Sequence, residues 1–146
     1  MTFTHILKTT ALSLTIIAGL AVQADAGGNR VTIEQWGTAN GIGNAQTGAR
    51  NRLSVFQDGR GNTSVSTQDG FGNRTVVGQS GRRHSVDTFQ RGRRNVTGVA
   101  QFGRGHDART SQRGRGNAVG IIQTGHGNSA TSRQHGRGNI AVIVQD

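Results

Sequence analysis

Apolar and polar residues alternate along this chain in short runs, and the alternation restarts every eleven residues. In the stretch from Asn51 to Gly61, the apolar Leu53 and Val55 alternate with the polar Arg52 and Ser54, Gln57 and Gly59 follow, and Asn62 opens the next unit. With each unit numbered from its first residue, position 1 is Asn29, Asn40, Asn51, Asn62, Asn73, Asn95, Asn117, Asn128 and Asn139, with His84 and His106 in the two remaining slots. Position 7 is Gln35, Gln46, Gln57, Gln68, Gln79, Gln90, Gln101, Gln112, Gln123, Gln134 and Gln145. Position 9 is Gly37, Gly48, Gly59, Gly70, Gly81, Gly92, Gly103, Gly114, Gly125 and Gly136. No unit carries an insertion, so the chain is a repeat array. Alternation over positions 1 to 7 predicts a strand, and the glycine-bearing positions 8 to 11 predict a turn.

Odd positions of a strand share one face. Position 3 is apolar or small throughout, from Val31, Ile42 and Leu53 to Ala130 and Ala141. Position 5 alternates from unit to unit. It is Ile33, Val55, Val77, Val99, Ile121 and Ile143 in odd units, and Asn44, Ser66, Thr88, Thr110 and Ser132 in even ones. The structural period is therefore 22 residues, made of two unlike strands. A large side chain on one strand facing a small one on the other fills a thin interior without voids. Even positions hold the charges, including Arg30, Arg52, Glu34, Asp87 and Arg109, and mark the outward face. The pattern weakens at Phe56, Phe89, Ile122, Ile140, Val142 and Val144, which are expected to be exposed.

The fold class predicted is all-β: a β-solenoid of 22-residue strand–turn–strand–turn coils, cross-β when polymerised. Residues 29–138 make five coils and 139–146 half of a sixth. Stacking at ~4.8 Å sets each residue over its equivalent in the next coil. The position-1 Asn and position-7 Gln then form columns of amides hydrogen-bonded along the stack. The turn glycines supply positive φ for the reversals. No capping segment stands out, and the β-prone, uncharged run Asn139–Gln145 is expected to accept another copy end to end.

Composition narrows the picture. Hydrophobic residues are only 32% of 146, with 24 Gly, no Pro and no Cys. So few apolar residues with a net charge of +10 would ordinarily mean disorder. A strict register argues for order instead, since a disordered chain places no demand on spacing. Absence of Pro leaves every backbone N–H free for a ladder. Residues 1–26 read as a secretory signal peptide: Lys8, an apolar run from Ala11 to Val22, and Ala24-Asp25-Ala26 before the cut. Residues 27–146 are then the exported repeat domain. Every basic residue after Lys8 is Arg, and Arg recurs at position 10 in Arg60, Arg82, Arg93, Arg104, Arg115 and Arg137. Such edges favour anionic partners.

The units resemble the curlin repeat family, the secreted subunits of bacterial curli fibres. The family motif runs Ser or Asn, five residues, Gln, one residue, Gly, two residues, Asn, five residues, Gln, and Asn51, Gln57, Gly59, Asn62 and Gln68 match it. The resemblance implies an extracellular cell-surface fibre reached through the periplasm and an outer-membrane pore, nucleated self-polymerisation, and a role in adhesion and biofilm matrix. Implied partners are copies of the chain itself, a nucleator or fellow curlin subunit, and the secretion pore.

Catalytic chemistry is not expected. No Ser/His/Asp set, paired carboxylates or metal-spaced cluster stands out, a thin filled solenoid offers no pocket, and no cofactor or small-molecule substrate is expected. His84 and His106, 22 residues apart, are expected in one column, replacing Asn; a stacked pair is also the sole candidate for metal or pH sensitivity. His126 and His135 are expected in solvated turns. Two alternative readings stand beside the main one: a minor, nucleator-type curlin subunit, as the resemblance also allows, or a secreted Arg-rich solenoid that binds anionic polysaccharide or extracellular DNA, suggested by pieces such as Arg91-Gly92-Arg93.

Overall fold

The computed structural model describes residues 27–146, and the expected signal peptide lies outside them. The described chain is all-β, with eleven strands and no helix. They are β1 (Arg30–Thr38), β2 (Gly41–Ala49), β3 (Arg52–Arg60), β4 (Thr63–Phe71), β5 (Arg74–Arg82), β6 (Ser85–Arg93), β7 (Val96–Arg104), β8 (Asp107–Arg115), β9 (Ala118–Gln123), β10 (Ser129–Arg137) and β11 (Ile140–Gln145). Odd strands form one parallel sheet, here sheet A, in the order β1-β3-β5-β7-β9-β11; even strands form sheet B, in the order β10-β8-β6-β4-β2. Each 22-residue coil contributes one strand to each sheet. Pairing is in register throughout, with Val55 over Val77 and Gln57 over Gln79 in sheet A, and Gln68 over Gln90 in sheet B.

The interior is one side chain deep from each sheet. Leu53, Val55, Val77, Val99, Val119 and Ile121 come from sheet A, and Val86, Ala108 and Ala130 from sheet B. The larger side chains are thus concentrated on sheet A, and the small polar position-5 residues Ser66 and Thr88 face inward from sheet B, bonded to each other at 3.0 Å. The terminal rungs are more open. Ile33 is 46% exposed and Ile143 half-buried, because only one neighbouring rung covers each.

The turns differ from expectation. Nine of the eleven strands run from position 2 to position 10, and the reversal occupies only positions 11 and 1. Gly37, Gly48, Gly59, Gly70, Gly81, Gly92, Gly103, Gly114 and Gly136 therefore lie inside strands, not in turns; Gly125 lies just beyond β9. Arg60 and its equivalents end strands, and His135 lies on β10. The physical reason is that position-9 φ values, 116° at Gly59 and 120° at Gly92, bend the strand without breaking its pairing. Neighbouring bends also nest. A Cβ at Gly59 would clash with the Gly81 carbonyl oxygen of the next rung. Glycine is required there by conformation and by contact together. The reversal proper uses a left-handed residue at position 11, as at Gly61 (φ 68°) and Arg83 (φ 57°).

Candidate functional site: the side-chain ladders

Two columns of Gln run the length of the stack, one per sheet. In sheet A the Nε2 of Gln35, Gln57, Gln79, Gln101 and Gln123 each donates to the Oε1 of the next, ending at Gln145, at 2.7 to 3.0 Å. In sheet B, Gln46, Gln68, Gln90 and Gln112 do the same, ending at Gln134. Every Gln after Gln35 also reaches across the interior to a backbone carbonyl. Gln57 donates its second N–H to the Gly41 carbonyl at 3.2 Å, and Gln79 to that of Thr63 at 3.1 Å. One amide thus joins two rungs and two sheets. From Gln57 to Gln123 these residues are fully buried in both columns, where an unpaired amide would cost about 1–3 kcal/mol.

Two threonines extend this network. Thr75 and Thr97, on sheet A, accept from Gln68 and Gln90 of sheet B at 3.1 Å and donate to Gln90 and Gln112 at 3.0 and 2.9 Å. Sequence reasoning placed them among small interior residues and missed this cross-sheet role. The available signal was a hydroxyl at position 3, otherwise largely aliphatic in sheet A.

The Asn column works differently from the expected amide ladder. Asn73 donates Nδ2–H to the carbonyls of Asp69, at its own corner, and Gly92, one rung on, at 3.2 and 3.1 Å. Its Oδ1 accepts the backbone N–H of Asn95 at 3.0 Å. Asn51, Asn62, Asn95 and Asn117 repeat this pattern. Direct Asn–Asn bonds supplement it only at Asn95, Asn117 and Asn139. The tight corner strands backbone groups away from water, and a short amide at position 1 satisfies them. Asn128 and Asn139 stand on the more open final rungs.

His84 and His106 occupy the same corner, on the side where sheet A turns into sheet B. Both are 1% exposed, with ring centroids 5.0 Å apart and planes within 10°. The His106 backbone N–H points at His84 Nδ1 at 3.4 Å, and the Asn128 N–H at His106 Nδ1 at 3.1 Å. A backbone N–H can only donate, so each Nδ1 accepts and each Nε2 carries the proton. The Nε2–H groups face the Ser80 and Phe102 carbonyls at 3.2 and 3.0 Å. Imidazole thus reproduces the Asn pattern, Nδ1 for Oδ1 and Nε2–H for Nδ2–H. With both ring nitrogens engaged by the backbone, the pair presents no free lone pair to a metal. Among the described residues no group of three or more His, Cys, Asp or Glu could hold one.

Burial holds the His84 pKa below its ordinary 6.5; the hydrogen bond at Ser80 opposes this, the like charge of His106 adds to it, and a backbone hydrogen bond at Gly103 opposes it. A group whose folded pKa is depressed lets the unfolded chain bind more protons in the window below 6.5. Stability is therefore complete above about pH 6.5 and falls as pH drops through that window. The coil is expected to lose denaturant resistance between pH 7.5 and 5. In the double variant His84→Asn/His106→Asn, the same two-pH comparison should show a much smaller loss; an equal loss would place the titration elsewhere.

A family model described as curlin associated repeat matches residues 48–81 and 84–114. These stretches run through the central rungs, where both Gln columns are fully buried. No curated protein matches the chain.

Proposed function

Because this chain carries curlin associated repeats, we propose that it is a structural subunit of an extracellular curli-like amyloid fibre, self-assembling end to end for adhesion and biofilm matrix. One observation carries the reading: every ladder is in register and has one polarity. Gln Nε2 and the strand edges point the same way at every rung, so each rung offers the next the same donors and acceptors. Among the described residues the sheets end in β1 and β2 on one side and in β10 and β11 on the other. An open rung with a built amide ladder is a template for a further copy, added head to tail with the same polarity. Its partners are copies of the chain, a nucleating fellow subunit and an outer-membrane export pore; the interior leaves no room for an enzyme's substrate.

The test is incubation of purified residues 27–146 without denaturant. A lag, a rise in thioflavin fluorescence and reflections near ~4.7 and ~10 Å are expected. A chain that stays monomeric at high concentration for days would overturn the proposal.

A second reading, binding of anionic polymers, is favoured by the placement of arginine. The edge where sheet B turns into sheet A carries Arg50, Arg93, Arg94, Arg115 and Arg137, continued by Arg30, Arg52 and Arg74 at the start of sheet A strands. No acid occupies the equivalent positions. Acids instead offset arginines on the outer face of sheet B, in the pairs Arg91–Asp69 and Arg109–Asp107. Phe71, Arg93, Arg94 and Arg115 line an open cavity of about 340 Å³ on this edge. Binding to random-sequence duplex DNA or an acidic polysaccharide is expected to weaken steeply with salt. Replacing Arg93, Arg94 and Arg115 with Ala should reduce the slope of log K against log salt by about one per lost phosphate contact on DNA. An unchanged slope would place the binding elsewhere.

A further inference from the structure

The outward face of sheet A has two halves of different chemistry. Over β1, β3 and β5 its second position is Arg30, Arg52 and Arg74. Over β7, β9 and β11 the same position is Val96, Ala118 and Ile140, and the sixth position ends in Ile122 and Val144. No charge stands at the second, fourth or sixth position of these three strands. Ile122 is 43% exposed and Val144 67%. Between the two apolar columns lie Gly98 and Gly120, followed on the last strand by the exposed Val142.

Neither glycine is demanded by its own coil. Neither takes a left-handed φ, and an added Cβ would find its nearest neighbour only 4.0 Å away. That sets them apart from the position-9 glycines, which conformation and contact both require. A glycine inside a strand weakens it, and often marks a site that a ligand or another backbone approaches closely. Here it leaves a shallow trough between two apolar ridges.

Charge decides what can lie there. The chain carries +10, and its other surfaces bear ionised groups: arginine along both edges, and Asp69, Arg91, Arg109 and Arg113 on the face of sheet B. Copies meeting through those surfaces set like charges together or bury ions. On the far half of sheet A they do neither. We propose that this half-face is a lateral interface, on which a filament of this chain packs face to face against a second copy in a neighbouring filament. The proposal rests on the end-to-end assembly argued above. Sheets stack about 10 Å apart, and the Ile122–Val144 ridge of one copy seats in the Gly98–Gly120 trough of the other.

Size makes the contact conditional. Three rungs at ~4.8 Å and five residues at ~3.3 Å give a patch of about 240 Å². Stable complexes bury about 800 Å² per partner. Single subunits therefore do not pair. A filament presents one patch per subunit, and roughly four patches acting together reach the usual size. Lateral association follows polymerisation and never precedes it.

The experiment compares residues 27–146 as wild type with Ile122→Arg, Gly98→Val and, as control on the face of sheet B, Ser111→Arg. Thioflavin growth reads assembly, electron microscopy reads filament width, and sedimentation before growth reads pairing. Wild type should be monomeric before growth and laterally bundled after it. Ile122→Arg and Gly98→Val should grow within about twofold of wild type yet lose bundles at least about tenfold, while Ser111→Arg keeps them. Either sheet-A variant bundling like wild type, or wild-type filaments that stay single or instead coat lipid vesicles through this face, would overturn the interface alone. Failure of the wild type to polymerise would overturn the assembly reading beneath it, and is recognised by the absent thioflavin signal.

Discussion

Gly92→Ala is expected to abolish regular stacking, while Gly78→Ala leaves it intact. Gly92 sits inside β6 at φ 120°, and an added Cβ would fall on the Gly114 carbonyl of β8. Two costs combine. An L-residue held at such a φ is strained by about 1–3 kcal/mol. The clash is with backbone, so relief requires β6 and β8 to separate, which strains the Gln90–Gln112 and Asn73–Gly92 bonds beside it. Together these should exceed about 3 kcal/mol, in the range reserved for severe lesions. Gly78 makes the opposite case. It lies on the outer face of β5 without a left-handed φ, and nothing lies within 4 Å of an added Cβ. Alanine there should gain about 0.5–1 kcal/mol by restricting the unfolded chain. Denaturant midpoints of the assembled fibres separate the two. Similar midpoints for both variants would show that the nested bend does not hold the rungs together.

The same contrast shows what a sequence of this kind reveals. Period and alternation were enough for the coil, the two unlike strands and the inward faces, because each is a one-dimensional property: a residue at position 3 or 5 meets its equivalents above and below. The bend at position 9 was not legible as a strand feature. Glycine signals positive φ, but Gly61 at a reversal and Gly59 within a strand look alike until the pairing of neighbouring rungs is known. Nor could spacing tell what an amide bonds to. A Gln column and an Asn column read identically, yet the longer Gln reaches the next Gln and the opposite sheet, while the shorter Asn stays at the corner and bonds backbone. Side-chain length, not period, separates the two. Imidazole can follow Asn at His84 because its two nitrogens present an acceptor and a donor in a similar arrangement.

The Gln columns are where loss of one side chain should slow assembly most among polar residues. Gln79→Ala removes three bonds at once: the acceptor for Gln57 at 2.7 Å, the donor to Gln101 at 3.0 Å, and the donor to the Thr63 carbonyl at 3.1 Å. Gln79 is fully buried, so its former partners meet an alanine methyl and a small void rather than water. Each stranded polar group costs about 1–3 kcal/mol, and the void adds to it. A loss of about 4–6 kcal/mol is expected, enough to lower the fibre's denaturant midpoint sharply. Growth should slow as well, since every added copy must close the same ladder. The terminal rung provides an internal scale. Gln35 is only half-buried and donates along the stack to Gln57 alone, so Gln35→Ala should cost less in an isolated subunit. In a fibre built by the proposed end-to-end stacking, that position becomes an interior rung and the cost should rise toward that of Gln79→Ala. Arg60→Ala, at the exposed end of β3, should change growth little. The decisive comparison is Gln35→Ala before and after polymerisation. A penalty that grows on assembly means the amide column runs through the joint between subunits, and one that stays constant means the joint is made by something else.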